Sequence, residues 1–243
     1  MSLIGRNLPQ AIQEKGKEIR TFMPKWGNIN ERRNQLHEVI RLSGLTLIID
    51  DTDHPLIIKV ASIQSARMQV YFIDNDDYFQ NRLQLSDENG NEYEDNGERA
   101  IFYTRGVLET VKKLRWCPDV IHCHGWLTAL APLYVKKAYK DEPSFRDSKV
   151  VLSLYEDGFT GNFKENFQQQ LLIKDMTPEL LSHTNSPINY LNLSKLAIDY
   201  SDGIIEASPT TSAELMKYAQ EKGIPTLGYQ GEENYTNAFA DFY

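Results

Sequence analysis

The sequence predicts an α/β fold built on a parallel sheet with helices on both faces, and three observations predict it. Short, nearly continuous apolar runs at 119–123, 149–154 and 203–207 alternate with segments of helical periodicity, the pattern of strands buried on both sides. A helix followed at once by a strand opens the chain. Between residues 37 and 74, by contrast, four strand-like runs succeed one another with no helix between them, which predicts an antiparallel β meander inserted into the parallel scheme.

In order, Leu8, Ala11 and Ile12 form the apolar side of a short helix that ends at Gly16, a residue suited to a left-handed cap, before a strand over 18–23. The meander's runs, H-E-V-I-R-L, L-T-L-I-I-D, L-I-I-K-V-A-S-I and M-Q-V-Y-F-I-D, are separated by Gly44, by residues 51–55 and by residues 65–67. Ile101, Phe102, Val107, Leu108, Val111 and Leu114 recur at helical spacing and predict a long helix over 99–114, capped by Asp95 or Asn96. Helices over 126–138 and 191–200 then separate the strands at 119–123, 149–154 and 203–207. Ser208 and Pro209, a capping residue followed by proline at the first helical position, predict a last helix that ends at Gly223. Residues 159–188 read as an irregular excursion over the carboxyl edge of the sheet, and residues 1–243 as a single domain.

Of the 243 residues, 41% are hydrophobic and 25% charged, within the range of soluble globular proteins, which excludes wholesale disorder. A net charge of −8 argues against a nucleic-acid partner, whose phosphates are gripped by basic surfaces. No apolar run is long enough to cross a bilayer, so no membrane partner is expected. The two cysteines, Cys117 and Cys123, are too few for a disulfide scaffold and fit a reducing compartment, so a cytoplasmic location is expected. Met1, Ser2 and Leu3 (residues 1–3) read as an expression leader, with native sequence expected upstream.

The stretch P-D-V-I-H-C-H-G-W at 118–126 puts His122 and His124 at the carboxyl end of a strand that runs into a helix, where ligands bind in open α/β sheets. Strand alternation turns both imidazoles to one face and Cys123 to the other. Zinc needs three or four ligands and no closely spaced Cys or His pair supplies the rest, so no metal is expected. Two readings stay open: both histidines act, or His122 is a hydrogen-bonded core residue and only His124 reaches solvent. The acidic run at 87–98 spaces its oxygens like a calcium loop but has Glu92 where the tight turn demands glycine, so Asn89 and Gly90 read as a plain turn. With no glycine-rich phosphate loop, serine elbow or well-spaced Cys–His pair, neither a cofactor nor a hydrolase is expected.

Several segments, in order and over most of the chain, resemble the amino-terminal half of bacterial glycogen synthases and plant starch synthases. Leu8 to Ile12, Gly16 to Arg20 and Met23 to Lys25 follow that family's L-P-x-A-L, G-H-E-V-R and P-x-Y pattern. Tyr71 to Asp74 with Tyr78 and Phe79 are similar to its next strand and loop. Tyr93, Asp95, Asn96, Glu98 and Arg99 fit Y-x-D-N-x-x-R-F, and the 118–126 stretch, with Asp119 in its opening, fits P-D-V-V-H-x-H-D-W. Gly161 and Phe163 fit the end of I-H-N-x-x-Y-Q-G-x-F, and Ser201 to Gly203 with Ser208, Pro209 and Glu214 fit A-D-x-x-x-x-V-S-x-x-Y-x-x-E.

The resemblance implies a Rossmann-like domain that is one half of a GT-B glycosyltransferase. The reaction it implies is glucosyl transfer from ADP-glucose to the non-reducing end of an α-1,4-glucan with retained configuration. It gives His124 the contact with the transferred glucosyl unit. Trp126, Tyr155, Glu156 and Gly161 fall in its substrate-binding region, with Trp126 and Tyr155 either stacking on sugar faces or packing in the core. Asp95, Asn96, Arg99 and Asp119 are expected to be structural.

The departures from the pattern carry equal information. Gly125 replaces the Asp of H-D-W, Tyr155 and Glu156 replace the His and Asn of I-H-N, and Ala100 replaces the Phe of D-N-x-x-R-F. The family's K-x-G-G-L loop is expected upstream of Ile4, and its nucleotide-holding second domain beyond Tyr243, so ADP-glucose is expected as a ligand only where that domain is supplied. Three functions follow: a glucan-binding or regulatory module, one component of an active synthase, or an interaction domain with a protein partner or oligomer.

Overall fold

The computed structural model describes residues 1–181, 184 and 187–243, and the chain divides into two compact units, Met1–Tyr93 with Arg105–Leu114 and Glu94–Thr104 with Arg115–Tyr243.

In the first unit, α1 (Ser2–Glu14) turns Leu8, Pro9 and Ile12 inward and gives way at Gly16, whose φ of +80° is the left-handed conformation expected there. Strand β1 (Thr21–Pro24) begins three residues later than expected. It is followed by β2 (His37–Glu38), β3 (Leu45–Ile49), β4 (Thr52–Ile63) and β5 (Met68–Asp74). Strand β4 pairs antiparallel with β2, β3 and β5, as the lack of intervening helices predicts. Strand β5 also pairs parallel with β1, giving the order β1-β5-β4-β2 with β3 on β4. The last run of the meander is therefore a strand of the parallel scheme as well.

Two runs differ from expectation. H-E-V-I-R-L shrinks to β2: after Val39 donates to the Ile58 carbonyl, Leu42 N–H bonds back to the Val39 carbonyl, and Ile40 is left 83% exposed. The break expected at 51–55 is a two-residue turn at Asp50 and Asp51, whose φ values of 51° and 58° match the twist of a tight hairpin. Pro55 thus lies inside β4, opposite Thr46. Asn75 caps the short α2 (Asp76–Phe79) by accepting from the Asp77 and Tyr78 N–H groups. Gly90, at φ +84°, completes the turn expected at Asn89 and Gly90, with Asp87 Oδ1 accepting from the Asn89 and Asn91 N–H groups. The helix α3 (Asn96–Lys113) gives its later turns to this unit, where Gly106 lets Ile73 and Leu56 close on the helix backbone.

The second unit opens on the first turns of α3. Arg99 N–H donates to the Asp95 carbonyl at 2.9 Å, which makes Asp95 the capping residue by position. The Arg99 guanidinium is wholly buried and bonds to Asn96 Oδ1 at 2.9 Å. Strand β6 (Val120–His124) is followed not by one long helix but by a 3₁₀ turn (Trp126–Thr128), α4 (Ala131–Leu133) and a π turn (Tyr134–Ala138) closed by Tyr139 N–H on the Tyr134 carbonyl.

Next come β7 (Lys149–Leu154), which matches its expected span, α5 (Phe167–Leu171) and α6 (Tyr190–Asp199). The chain then runs through β8 (Gly203–Glu206), α7 (Ala213–Glu221), β9 (Thr226–Leu227) and α8 (Tyr235–Phe242). The sheet is parallel throughout, in the order β6-β7-β8-β9. Five of the six residues of β7 are buried, as two covered faces require.

The last predicted helix starts at Ser212 and not at Ser208. The Thr211 hydroxyl donates to the Leu154 carbonyl at 2.9 Å and Thr210 bonds Glu156, so 208–211 is held as a turn until Ser212 caps α7. Within 159–188, α5 and a 3₁₀ turn (Pro178–Leu181) stand out, and residues 182, 183, 185 and 186 of that stretch lie outside the described residues. Helix α6 starts on Asn189, whose Oδ1 accepts from Asn192 N–H at 2.8 Å. Asn189→Ala is expected to cost about 1 kcal/mol in urea-induced unfolding.

Candidate functional site

The parallel register of the second unit builds a ladder between consecutive segments. Strand β6 pairs with β7 so that His124 lies opposite Ser153, and every second side chain faces the same side. Three rungs follow at a constant offset of 31 residues. His122 Nε2 meets Ser153 Oγ at 2.6 Å, His124 Nδ1 meets the Tyr155 hydroxyl at 2.7 Å, and the Trp126 N–H donates to Asp157 Oδ2 at 2.9 Å. The first rung links side chains of neighbouring strands, the second joins the end of β6 to the residue just after β7, and the third fastens the loop after β6 to the loop after β7.

The two imidazoles stack with centroids 4.0 Å apart. His122 is engaged at both nitrogens, because Nδ1 meets the Tyr243 hydroxyl of the carboxyl-terminal helix at 2.6 Å. Phe239 of α8 packs edge-on against the same ring at 5.8 Å. His124 is engaged only at Nδ1: among the described residues its Nε2 has no hydrogen-bond partner, and that atom is not sealed from solvent. Of the two readings left open by the sequence, the hydrogen bonding of His122 agrees with the second, although His122 is as half-buried as His124 and not a core residue. His122 is tied into the surrounding structure and His124 presents a free ring edge.

Both rings are half-buried and crowded by protein, which disfavours the imidazolium. Burial lowers the pKa of His124 to about 4 and, with the neighbouring His124 as a second cause, holds His122 well below its ordinary value. Burial likewise pushes the Tyr155 hydroxyl up, so it stays protonated. Cys123, facing the other way, is buried and free, and its thiol is pushed up to about 12. It carries no thiolate chemistry at neutral pH.

Between His124 and Trp126 the backbone turns at Gly125, with φ +81° and ψ 179°. That region is open almost exclusively to glycine. A carboxylate side chain at this position is incompatible with the turn as it stands, which gives the departure at Gly125 a backbone cause.

The indole of Trp126 is 7% exposed and packs edge-on against Phe159 at 5.7 Å, in a cluster continued by Phe163, Phe167 and Tyr190. Beneath it, Asp157 and Tyr190 border a cavity of about 10 Å³, room for about one water. Burial raises the pKa of the Asp157 carboxyl. Tyr155 is 5% exposed apart from its role on His124, Glu156 is exposed and bonded to Thr210, and Gly161 is half-buried in the bend before Phe163. Asp119 is exposed, and its carbonyl accepts from Lys149 N–H, which starts the β6–β7 pairing. Asp95, Asn96 and Arg99 gather at the start of α3 and not at the histidines.

Ser153, Asp157, Tyr190 and Tyr243 were not anticipated from the sequence. Ser153 carried a signal, a lone hydroxyl inside an apolar strand; Tyr243 carried none.

Residues 1–227 match the family described as the starch synthase catalytic domain. The chain belongs to this family. It is 38% identical over 175 residues to the glycogen synthase of Chlorobium limicola, covering 72% of this chain and 36% of that protein. To the glycogen synthase of Pelodictyon phaeoclathratiforme it is 33% identical over 223 residues, covering 91% of this chain and 44% of that one. The chain thus spans less than half the length of these curated relatives.

Among solved structures, the catalytic domain of starch synthase IV from Arabidopsis thaliana, bound to ADP and acarbose, superposes with a TM-score of 0.70 at 18% identity, covering 96% of this chain and 48% of that one. The fold is that of one half of a GT-B glycosyltransferase, and the chain is a glycogen or starch synthase-like glycosyltransferase domain. Among the described residues no helix is long and apolar enough to cross a membrane.

Proposed function

We propose that this chain is the amino-terminal half of a synthase that transfers glucose from ADP-glucose to an α-1,4-glucan. The observation that carries the reading is the free Nε2 edge of His124 at the carboxyl end of β6, where open α/β sheets bind ligands. In this reading His124 touches the transferred glucosyl unit. Glu156 and Gly161, on the loop after β7, border the glucan, and Trp126 and Tyr155 hold that surface from beneath. Asp95, Asn96, Arg99 and Asp119 serve the fold. A neutral imidazole offers the sugar a hydrogen bond and not a charge, so electrostatic stabilisation of the departing diphosphate falls to other groups. ADP-glucose accordingly binds where a second domain supplies the nucleotide site. A cytoplasmic location accords with two free cysteines.

Calorimetric titration with maltooligosaccharides tests the glucan site. Binding by the wild-type chain, weakened about tenfold in His124→Ala, is expected if one hydrogen bond to the sugar is lost. No heat at millimolar oligosaccharide overturns the reading.

A second reading, a glucan-binding or regulatory module without transfer activity, is favoured by one observation. Tyr155 and Glu156 stand where the resembling family has His and Asn, and the Tyr155 hydroxyl already occupies one nitrogen of His124. Glucose incorporation from ADP-glucose into glycogen by the full-length native gene product separates the two.

A further inference from the structure

We infer that Tyr155 is a positioning residue: its phenol donates to Nδ1 of His124 and fixes the ring as the Nε2–H tautomer, which makes His124 a hydrogen-bond donor toward a sugar hydroxyl oxygen. This rests on the reading of His124 given above and adds the polarity of its contact, together with the residue that sets it.

The rung between Nδ1 and the phenol is 2.7 Å long, so a proton lies between the two atoms and belongs to one of them. Two arguments assign it to the phenol. The lone pair of an imidazole nitrogen is a better acceptor than a phenolic oxygen, and the phenol is the more acidic of the two neutral donors. If Nδ1–H were the donor, the Tyr155 O–H would need another acceptor, and among the described residues it has none on a side chain only 5% exposed. A buried hydroxyl proton without a partner is unfavourable. With Nδ1 committed as acceptor, a neutral ring carries its proton on Nε2, the edge that no group among the described residues occupies.

The neighbouring ring is held alike at Nδ1: the Tyr243 hydroxyl meets Nδ1 of His122 at 2.6 Å, and Ser153 Oγ meets its Nε2 at 2.6 Å. The difference is that Ser153 occupies the Nε2 edge of His122, while among the described residues the Nε2 edge of His124 has no partner. The sequence departure at Tyr155 thus sets the hydrogen-bonding polarity of the residue two positions from His122 along β6.

Long-range ¹H–¹⁵N correlation spectra of the full chain, labelled at histidine, read the tautomer of each ring directly. The wild type is expected to show His124 as a single Nε2–H tautomer at neutral pH. In Tyr155→Phe the His124 nitrogens are expected to move toward the shifts of an averaging pair of tautomers, while those of His122 stay in place and report that the fold is kept. An Nδ1–H tautomer in the wild type overturns the inference without reference to any variant. Unchanged His124 nitrogen shifts in Tyr155→Phe also overturn it. Titration with maltooligosaccharide provides the second arm, with affinity expected to fall roughly three- to tenfold in Tyr155→Phe. If the wild type binds no saccharide but shows the Nε2–H tautomer, the functional reading fails and the hold of Tyr155 on the ring stands.

Discussion

Gly27→Ala is expected to destabilise the chain by at least about 3 kcal/mol, read by urea-induced unfolding. A Cβ built at Gly27 would lie 2.6 Å from the Asn81 carbonyl carbon and 2.7 Å from the Asn81 Cα, and closer still to the Arg82 nitrogen. These are backbone atoms, so no rotamer change relieves the overlap and the turn at 79–82 has to move as a body. That turn is fixed from three sides. Gly27 N–H donates to the Arg82 carbonyl at 2.8 Å, Arg82 N–H donates to the Phe79 carbonyl at 3.2 Å, and Trp26 packs edge-on against Phe79 at 5.7 Å. Asn81 is already in the left-handed region at φ 55°, which leaves little backbone slack.

Gly5→Ala is the matching control: it sits inside α1 with no atom within 4 Å of the added carbon, and is expected to stabilise by about 1 kcal/mol through helix propensity. A Gly27→Ala protein within 1 kcal/mol of wild type would show that the two segments do not approach this closely.

How much of this was legible in the sequence depended on how local each determinant is. Strand β7 was readable because K-V-V-L-S-L is an apolar run with clear ends, and Gly16 because a glycine after a periodic segment has one common use. The run at 37–42 misled because apolar content alone does not make a strand. Its Ser43 hydroxyl takes the Ile58 N–H that a longer β2 would have paired, a contact invisible without the fold. Pro209 misled for a similar reason, since the bond from the Thr211 hydroxyl to the Leu154 carbonyl holds a turn where the local signal favours a helix start. Helix α8 was missed, since the helix ending at Gly223 reads as the last, although Tyr235, Ala238, Phe239 and Phe242 recur at helical spacing.

At the site, strand alternation put His122 and His124 on one face and Cys123 on the other, as found. The 31-residue rungs were not readable, because the register of β6 against β7 is fixed by packing of both strands and not by either segment alone. Asp157 was hidden by its setting, since an Asp-Gly pair after a strand reads as a surface turn until the Trp126 N–H is seen to need an acceptor.

The stacked imidazoles also fix how the chain responds to acid. A ring whose folded pKa lies below its unfolded value binds fewer protons folded than unfolded in the interval between them, so stability falls as pH falls. For His124 the interval runs from 6.5 down to about 4. The contribution is fully present above pH 6.5, is lost progressively below it, and amounts to about 3 kcal/mol across the interval. His122, lowered by the same burial and by its neighbour, adds in the same direction.

The groups around the pair work differently. Tyr155 and Tyr243 are pushed up by burial and stay neutral throughout this range. Asp157, whose pKa is raised from 3.8, opposes the histidines, because its buried carboxylate is relieved by protonation as pH falls toward the acid end. Asp157 is common to the wild type and to a His124 variant, so a comparison of the two leaves the imidazole's share.

Unfolding free energies of wild type and His124→Gln, measured from pH 7 to 4.5, isolate the His124 share from general acid destabilisation. The wild-type curve is expected to fall more steeply than that of the variant, with the gap between them narrowing or reversing toward pH 4.5. Parallel curves would mean that the His124 ring accepts a proton in the folded chain as readily as in the unfolded one, which is incompatible with a crowded imidazole stacked on His122 and held at Nδ1 by a phenol.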